Sequence, residues 1–148
     1  MRVAAVDFGK ARIGLAVSDE LGLLAHPRPA LGGANIRAAL KELGRLAKDE
    51  GIDRFLVGHP LELRGAEGPA AARARQFGQD LADATGCEVE LVDERLTTVE
   101  ATRRLRERDE LGDPSRERLR DRVDGAAAAI LLQAWLDGRR GRSRPARG

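Results

Sequence analysis

Residues 1–19, MRVAAVDFGKARIGLAVSD, decide how this chain is to be read. The apolar run Val3-Ala4-Ala5-Val6 leads straight into Asp7. Gly9 and the polar Lys10-Ala11-Arg12 then turn the chain, and Ile13-Gly14-Leu15-Ala16-Val17 runs back. Two short apolar runs about a glycine-bearing polar turn predict a pair of adjoining strands with a carboxylate at the exit of the first. A buried, ionised carboxylate with no partner costs roughly several kcal/mol. Asp7 therefore needs either backbone N–H groups at the turn or a cation. What the later chain brings to this point separates the two.

Outward from the hairpin, Leu21–Leu31 is a third extended segment, and Pro27 and Pro29 suit it to a sheet edge. Asn35 is the N-cap of a helix with Ile36, Leu40, Leu43 and Ala47 on one face, ended by Gly51. Residues 53–58 read as a buried fourth strand. The loop HPLELRGAEG leads to Pro69, which opens a helix with Ala74, Phe77, Leu81 and Ala84 on its apolar face and Gly86 after it. Val89–Val92 form a fifth strand that ends in Asp93-Glu94. Thr97-Thr98-Val99-Glu100 is a capping box for another helix. Asp113-Pro114 opens a further one, first the charged RERLRDR and then VDGAAAAILLQAWL, apolar nearly all round. The strand–helix–strand units imply parallel pairing and the hairpin antiparallel pairing, so the class is α/β with a mixed sheet. The phosphate-binding patterns GxGxxG and GxxxxGK[ST] are absent.

Composition narrows the function. At 148 residues the chain reads as one domain with a sizeable core, and its one cysteine, Cys87, forms neither an internal disulfide nor a thiolate metal site by itself. No apolar run approaches the roughly 20 residues that span a bilayer, and no signal pattern opens the chain, so the expectation is a cytoplasmic protein with no membrane contact. One Trp, three Phe and no Tyr argue against a binder that works by stacking bases. The formal charge of +2 hides an asymmetry: residues 139–148 hold five arginines and no acid, leaving 21 basic against 24 acidic residues in 1–138. The expected division is one folded domain over 1–137 and a basic, disordered tail over 138–148.

Three acidic positions stand where solvation is restricted: Asp7 after the first strand, Asp93 or Glu94 after the fifth, and Asp124 before the most apolar helix segment. Each has an ordinary account alone, since Asp93 can pair with Arg95 and Asp124 with Arg120 or Arg122. Adjacent parallel-aligned strands that both end in acids place them at one sheet edge, where like charges repel strongly unless a cation intervenes. Mg²⁺ and Mn²⁺ take such oxygen ligands, and paired ions about 3.5–4 Å apart suit phosphodiester hydrolysis. Of the two acids after the fifth strand, Glu94 has the longer reach toward Asp7.

The segments VDFGKARIGLAVSD, VGHPLELRGAEGP, LVDERLTTVEA and VDGAAAAILLQAWLD, in that order, resemble the YqgF family of RNase H-like proteins over most of residues 3–137. The resemblance implies an RNase H-like fold: a mixed five-stranded sheet, antiparallel in its first three strands and parallel in its last two, flanked by helices. It implies Asp7, Glu94 and Asp124 as the catalytic, metal-holding acids, with Mg²⁺ or Mn²⁺. The implied activity is a metal-dependent endonuclease, a phosphodiester hydrolase acting at the 5′ end of pre-16S ribosomal RNA. Its partners would be structured RNA and the ribosomal precursor particle. Members have also been described as Holliday junction resolvases by similarity to RuvC, which makes branched DNA the other substrate. A junction has two scissile strands, so that activity requires a homodimer; the state is otherwise open between monomer and homodimer. A non-catalytic ribosome- or nucleic-acid-binding factor is the remaining class. Candidate substrate-binding residues are Lys10 and Arg12 in the hairpin turn, Arg64 in the loop, Arg73 after a helix N-terminus, Arg95, Thr97 and Thr98. The chain departs from the family pattern at His59, where an apolar residue is usual, and in Leu61–Gly65, which lacks the usual asparagine. Ala127 stands where the RuvC pattern has a second helical acid, and Asp121, one turn before Asp124, is its candidate substitute.

Overall fold

A computed structural model describes the backbone of residues 1–9, 11–96 and 117–143 and the side chains of 1–9, 11–95 and 125–139. The first strand, β1 (Val3–Phe8), turns into β2 (Arg12–Ser18), and β3 (Ala25–Gly32) follows. Then come α1 (Ile36–Glu50), β4 (Arg54–His59), α2 (Pro69–Thr85), β5 (Glu88–Asp93), a single 3-10 turn over Glu94–Leu96, and α3 (Glu117–Ser143). The five strands form one sheet in the order β3-β2-β1-β4-β5. β1 pairs antiparallel with β2 and parallel with β4, β2 antiparallel with β3, and β4 parallel with β5. This is the mixed arrangement expected. The proline-bearing β3 lies on the edge, where a missing N–H breaks no ladder.

Alternation along the strands sorts the core into two layers. Ala4 and Val6 of β1, with Phe55 and Val57 of β4, meet Ala39 and Leu43 of α1 and Ala74, Phe77 and Leu81 of α2. Val3 and Ala5, with Ala16 and Leu56, meet Ala127, Ala128, Leu131, Leu132 and Leu136 of α3. One face thus lies under α1 and α2, the other under α3. Small residues on both sides of the second layer bring α3 close. A Cβ on Gly125 would lie 3.0 Å from Pro27 Cβ and 3.2 Å from the Arg28 carbonyl oxygen.

Three contacts fix the direction of α3. Gly125 packs at Pro27 and Arg28, which lie opposite Ala16 and Leu15 in β2. Further along, Gln133 Oε1 accepts from the Ala25 N–H at 2.9 Å and its Nε2 donates to the Leu23 carbonyl at 3.0 Å. Arg139 reaches Met1. The helix therefore runs antiparallel to β1, and its early part lies toward the end of the sheet where β1 finishes.

Several details differ from the sequence pattern. Asn35 caps α1 as expected, its Oδ1 accepting from the Ala38 N–H at 3.1 Å, but Ile36 is 41% exposed and Ala39 takes the buried place. Ile36 is the first helical residue and overhangs the layer rather than entering it. In α2, Ala84 is exposed, while Gly78 sits 3.4 Å (from a built Cβ) from Leu91 and Val89. α3 is not buried all round: Ala134 and Asp137 are exposed. It also continues to Ser143, so the boundary expected at residue 138 falls inside a helix. The capping box at Thr97–Glu100 and the helix start at Asp113-Pro114 lie outside the described residues. Among the described residues no helix is long and apolar enough to cross a membrane.

Candidate active site

Asp7 is the next-to-last residue of β1, opposite Gly14 of β2, and is wholly buried. It shares the parity of Val3 and Ala5 and so lies on the α3 face. The β1–β4 register, Val6 beside Val57, sets Asp7 level with Gly58. Gly58 pairs in turn with Val92 of β5, and Glu94 follows two residues on. Glu94 is 1% exposed. Its side chain lies back over β4: a Cβ built on Gly58 would run into Oε1 and stand 2.9 Å from Cδ and 3.4 Å from Cγ. The two buried carboxylates thus share one face and one edge of the sheet.

Asp124 is carried by α3, one residue before the Gly125 contact, in the part of the helix nearest that edge. Its side chain, like that of Asp121, lies outside the described ones. Ala127 is fully buried against the sheet, so the position of RuvC's second helical acid is here a packing residue. Among the described residues no group of three or more His, Cys, Asp or Glu side chains gathers as a metal cluster. The donor set nevertheless fits a hard cation: two buried carboxylates from strand ends at one edge, oxygen only, with a cradle at Gly58 that any side chain would fill.

Asp93 points the other way, with Val89 and Leu91. Its carboxylate is taken up by Arg95, whose guanidinium Nη2 and Nε reach it at 2.6 and 2.9 Å and whose backbone N–H donates to Oδ1 at 2.9 Å. Those bonds hold the Asp93 carboxyl below the usual carboxylate range. Arg95 Nη1 also donates to the Leu63 carbonyl at 3.3 Å, fastening the loop after β4 to the end of β5. His59, beside Asp93 in the ladder, contacts Glu67 at 2.9 Å through Nε2. Arg75, then His59, lower the Glu67 carboxyl. These side chains form a belt around the loop on the face away from Asp7.

Of the residues expected to meet substrate, Arg12 begins β2 directly after the turn, its carbonyl accepting from the Gly9 N–H at 3.1 Å. Arg64 is exposed beside Glu62, and Arg73 is exposed on α2. Arg95 is exposed but occupied by Asp93. Lys10, Thr97 and Thr98 lie outside the described residues. The sequence reading missed the place of Gly58 and the Glu67–Arg75 pair. A glycine inside an otherwise bulky strand, Phe55-Leu56-Val57-Gly58, was the available signal for the first.

Comparison with solved structures defines the fold. RuvC of T. thermophilus in complex with a Holliday junction matches with a TM-score of 0.56 at 16% identity, over 95% of this chain and 96% of that one. The Fowlpox virus resolvase, solved with Holliday junction DNA, matches with a TM-score of 0.53 at 9% identity, over 93% and 98%. The fold is RNase H-like. A family model described as "RuvX: Holliday junction resolvase" matches residues 1–138, and the chain belongs to that family. Curated relatives agree over nearly their whole length. One from Anaeromyxobacter sp. (strain Fw109-5), "Putative pre-16S rRNA nuclease", is 45% identical over 94% of this chain and 98% of its own. Another of that name from Myxococcus xanthus (strain DK1622) is 42% identical over 95% and 90%. The chain is a nuclease, a phosphodiester hydrolase.

Proposed function

We propose that this chain is a metal-dependent endonuclease that trims the 5′ end of pre-16S ribosomal RNA, with Asp7, Glu94 and Asp124 holding Mg²⁺ or Mn²⁺. The observation that carries the reading is the Glu94 carboxylate laid over Gly58, on the face and at the edge where Asp7 is buried and under the helix that bears Asp124. When bound, a divalent cation there supplies electrostatic stabilisation at the scissile phosphate and a more acidic water. The protein's own part is to fix the acids. Asp7 is held by pairing on both sides of β1, and Glu94 by the turn that Asp93 and Arg95 close. Arg12, at the start of β2 after the turn, is suited to a phosphate oxygen of the bound strand. The RNA substrate is supported by the relatives' name.

Junction resolution is the second reading, supported by the family's description. A cleavage assay with Mn²⁺ separates the two by offering a precursor rRNA fragment and a four-way DNA junction in parallel. Cutting of the RNA in preference to the junction is expected. Asp7→Asn, which removes charge at nearly constant volume, should reduce cleavage by roughly 10²-fold or more with an unchanged melting temperature. Retention of full activity by that variant would sink the metal-site reading. Wild-type protein that binds the RNA but neither cuts it nor takes up Mn²⁺ would mark a non-catalytic factor.

A further inference from the structure

We propose that Gly58 is a positioning residue: its missing side chain is the gap through which Glu94 crosses β4 to stand beside Asp7. The inference rests on the reading of Glu94 as a cation-holding acid and adds what places it. β4 lies between β1, which carries Asp7, and β5, which leads to Glu94. With strands about 4.8 Å apart, an acid leaving β5 must extend over a whole strand to reach the neighbourhood of Asp7. The place it crosses is Gly58, level with Asp7 on one side and paired to Val92 on the other.

Backbone conformation does not ask for glycine here. Among the described residues the positive-φ glycines are Gly22, Gly51, Gly65 and Gly86, and Gly58 is not among them. Space does ask for it. A Cβ would collide with Glu94 Oε1 and crowd Cδ at 2.9 Å, while Cγ would stand at an ordinary 3.4 Å. The collision falls on the carboxyl group itself, so any relief displaces the oxygens read as holding the cation. Nor can Glu94 readily move at its base, because Asp93 and Arg95 hold each other across it through four hydrogen bonds from 2.6 to 3.0 Å. Gly78, by comparison, would put a Cβ no closer than 3.4 Å to Leu91 and Val89, an ordinary packing distance.

The test combines Mn²⁺ titration by calorimetry with thermal unfolding of wild type, Gly58→Ala, Glu94→Gln, Glu94→Ala and the Gly58→Ala/Glu94→Ala pair. Gly58→Ala is expected to weaken Mn²⁺ binding about 10–100-fold, the range typical of lost ligand support. It should also lower the melting temperature in wild type but not in the Glu94→Ala background, where the collision is gone. Should Gly58→Ala alone fail to fold, a folded double variant carries the same conclusion and an unfolded one overturns it. Wild-type Mn²⁺ affinity in Gly58→Ala, or an equal drop in melting temperature in both backgrounds, would overturn the inference. Undiminished Mn²⁺ binding by Glu94→Gln would instead remove the underlying reading of Glu94, which the unfolding cycle does not depend on.

Discussion

Glu94 lies between Asp93 and Arg95, and those two hold one another by side chain and backbone at once. Strand parity puts Glu94 with Val92 on the α3 face and Asp93 with Leu91 on the other. In the sequence that parity decided nothing, because both faces of an inner strand are covered and only docking tells which helix covers which. The two acids should accordingly fail differently. Glu94→Gln is expected to lose Mn²⁺ binding and cleavage, and Asp93→Asn to keep most of both while losing on the order of 1 kcal/mol of stability. The opposite ranking in cleavage assays would mean that the site lies on the other face. The Asp93 contribution also has a pH signature. Bonds to Arg95 lower its folded pKa below the ordinary 3.8, so the pair stabilises above that range and ceases to as the pH falls through the folded value. The melting-temperature gap between wild type and Asp93→Asn should therefore close in acid. A gap that persists there would trace the loss to something other than the ion pair.

The elements divide by how locally they are determined. The hairpin, the proline-marked edge strand, the Asn35 cap and the Pro69 start were legible because each follows from a few neighbouring residues. The burial of α3 was not. Ala126–Ala129 are apolar on every side, and a run of small apolar residues leaves the docked face to be chosen by what it meets. What it meets is the small-residue floor of Ala5 and Ala16, and the approach is close enough that a Cβ on Gly125 would press on the β3 backbone. Two glycines of the same helix make the point testable. A Cβ at Gly138 meets nothing within 4 Å, so Gly138→Ala should stabilise by roughly 0.5–1 kcal/mol through helix propensity alone. Gly125→Ala gains the same propensity but must push the helix from Pro27 and Arg28, a cost of about 1–3 kcal/mol. It should melt lower than Gly138→Ala and, because α3 carries Asp124, cleave more slowly. Equal melting temperatures for the two would show that the helix is free to shift at no cost.

At the scale of the whole molecule, electrostatics set a problem that the fold solves only in part. Residues 1–138 carry more acid than base, and two buried acids are gathered at one sheet edge, toward which a polyanion must come if that edge is the proposed site. Attraction has to be supplied from elsewhere, and the five arginines of 139–148 are its densest source. The structure assigns Arg139 to the body: it stacks 5.4 Å from the Trp135 ring centroid and reaches Met1. Because α3 runs antiparallel to β1, that end of the helix lies at the opposite end of the sheet from Asp7. The arginines that follow it in the sequence are expected to raise affinity for a long nucleic acid without touching the bond that is cut. Ending the chain after Ser143, which removes Arg144 and Arg147 and leaves the helix and the Trp135 stack whole, separates the two effects. Binding should weaken, and its logarithmic salt dependence should flatten by roughly 0.7–0.9 for each phosphate no longer neutralised. The cleavage rate at saturating substrate should stay at the wild-type value. A slope identical to wild type would show that the terminal arginines neutralise no phosphate, and a fall in the saturated rate would show that the chain end reaches the acidic edge.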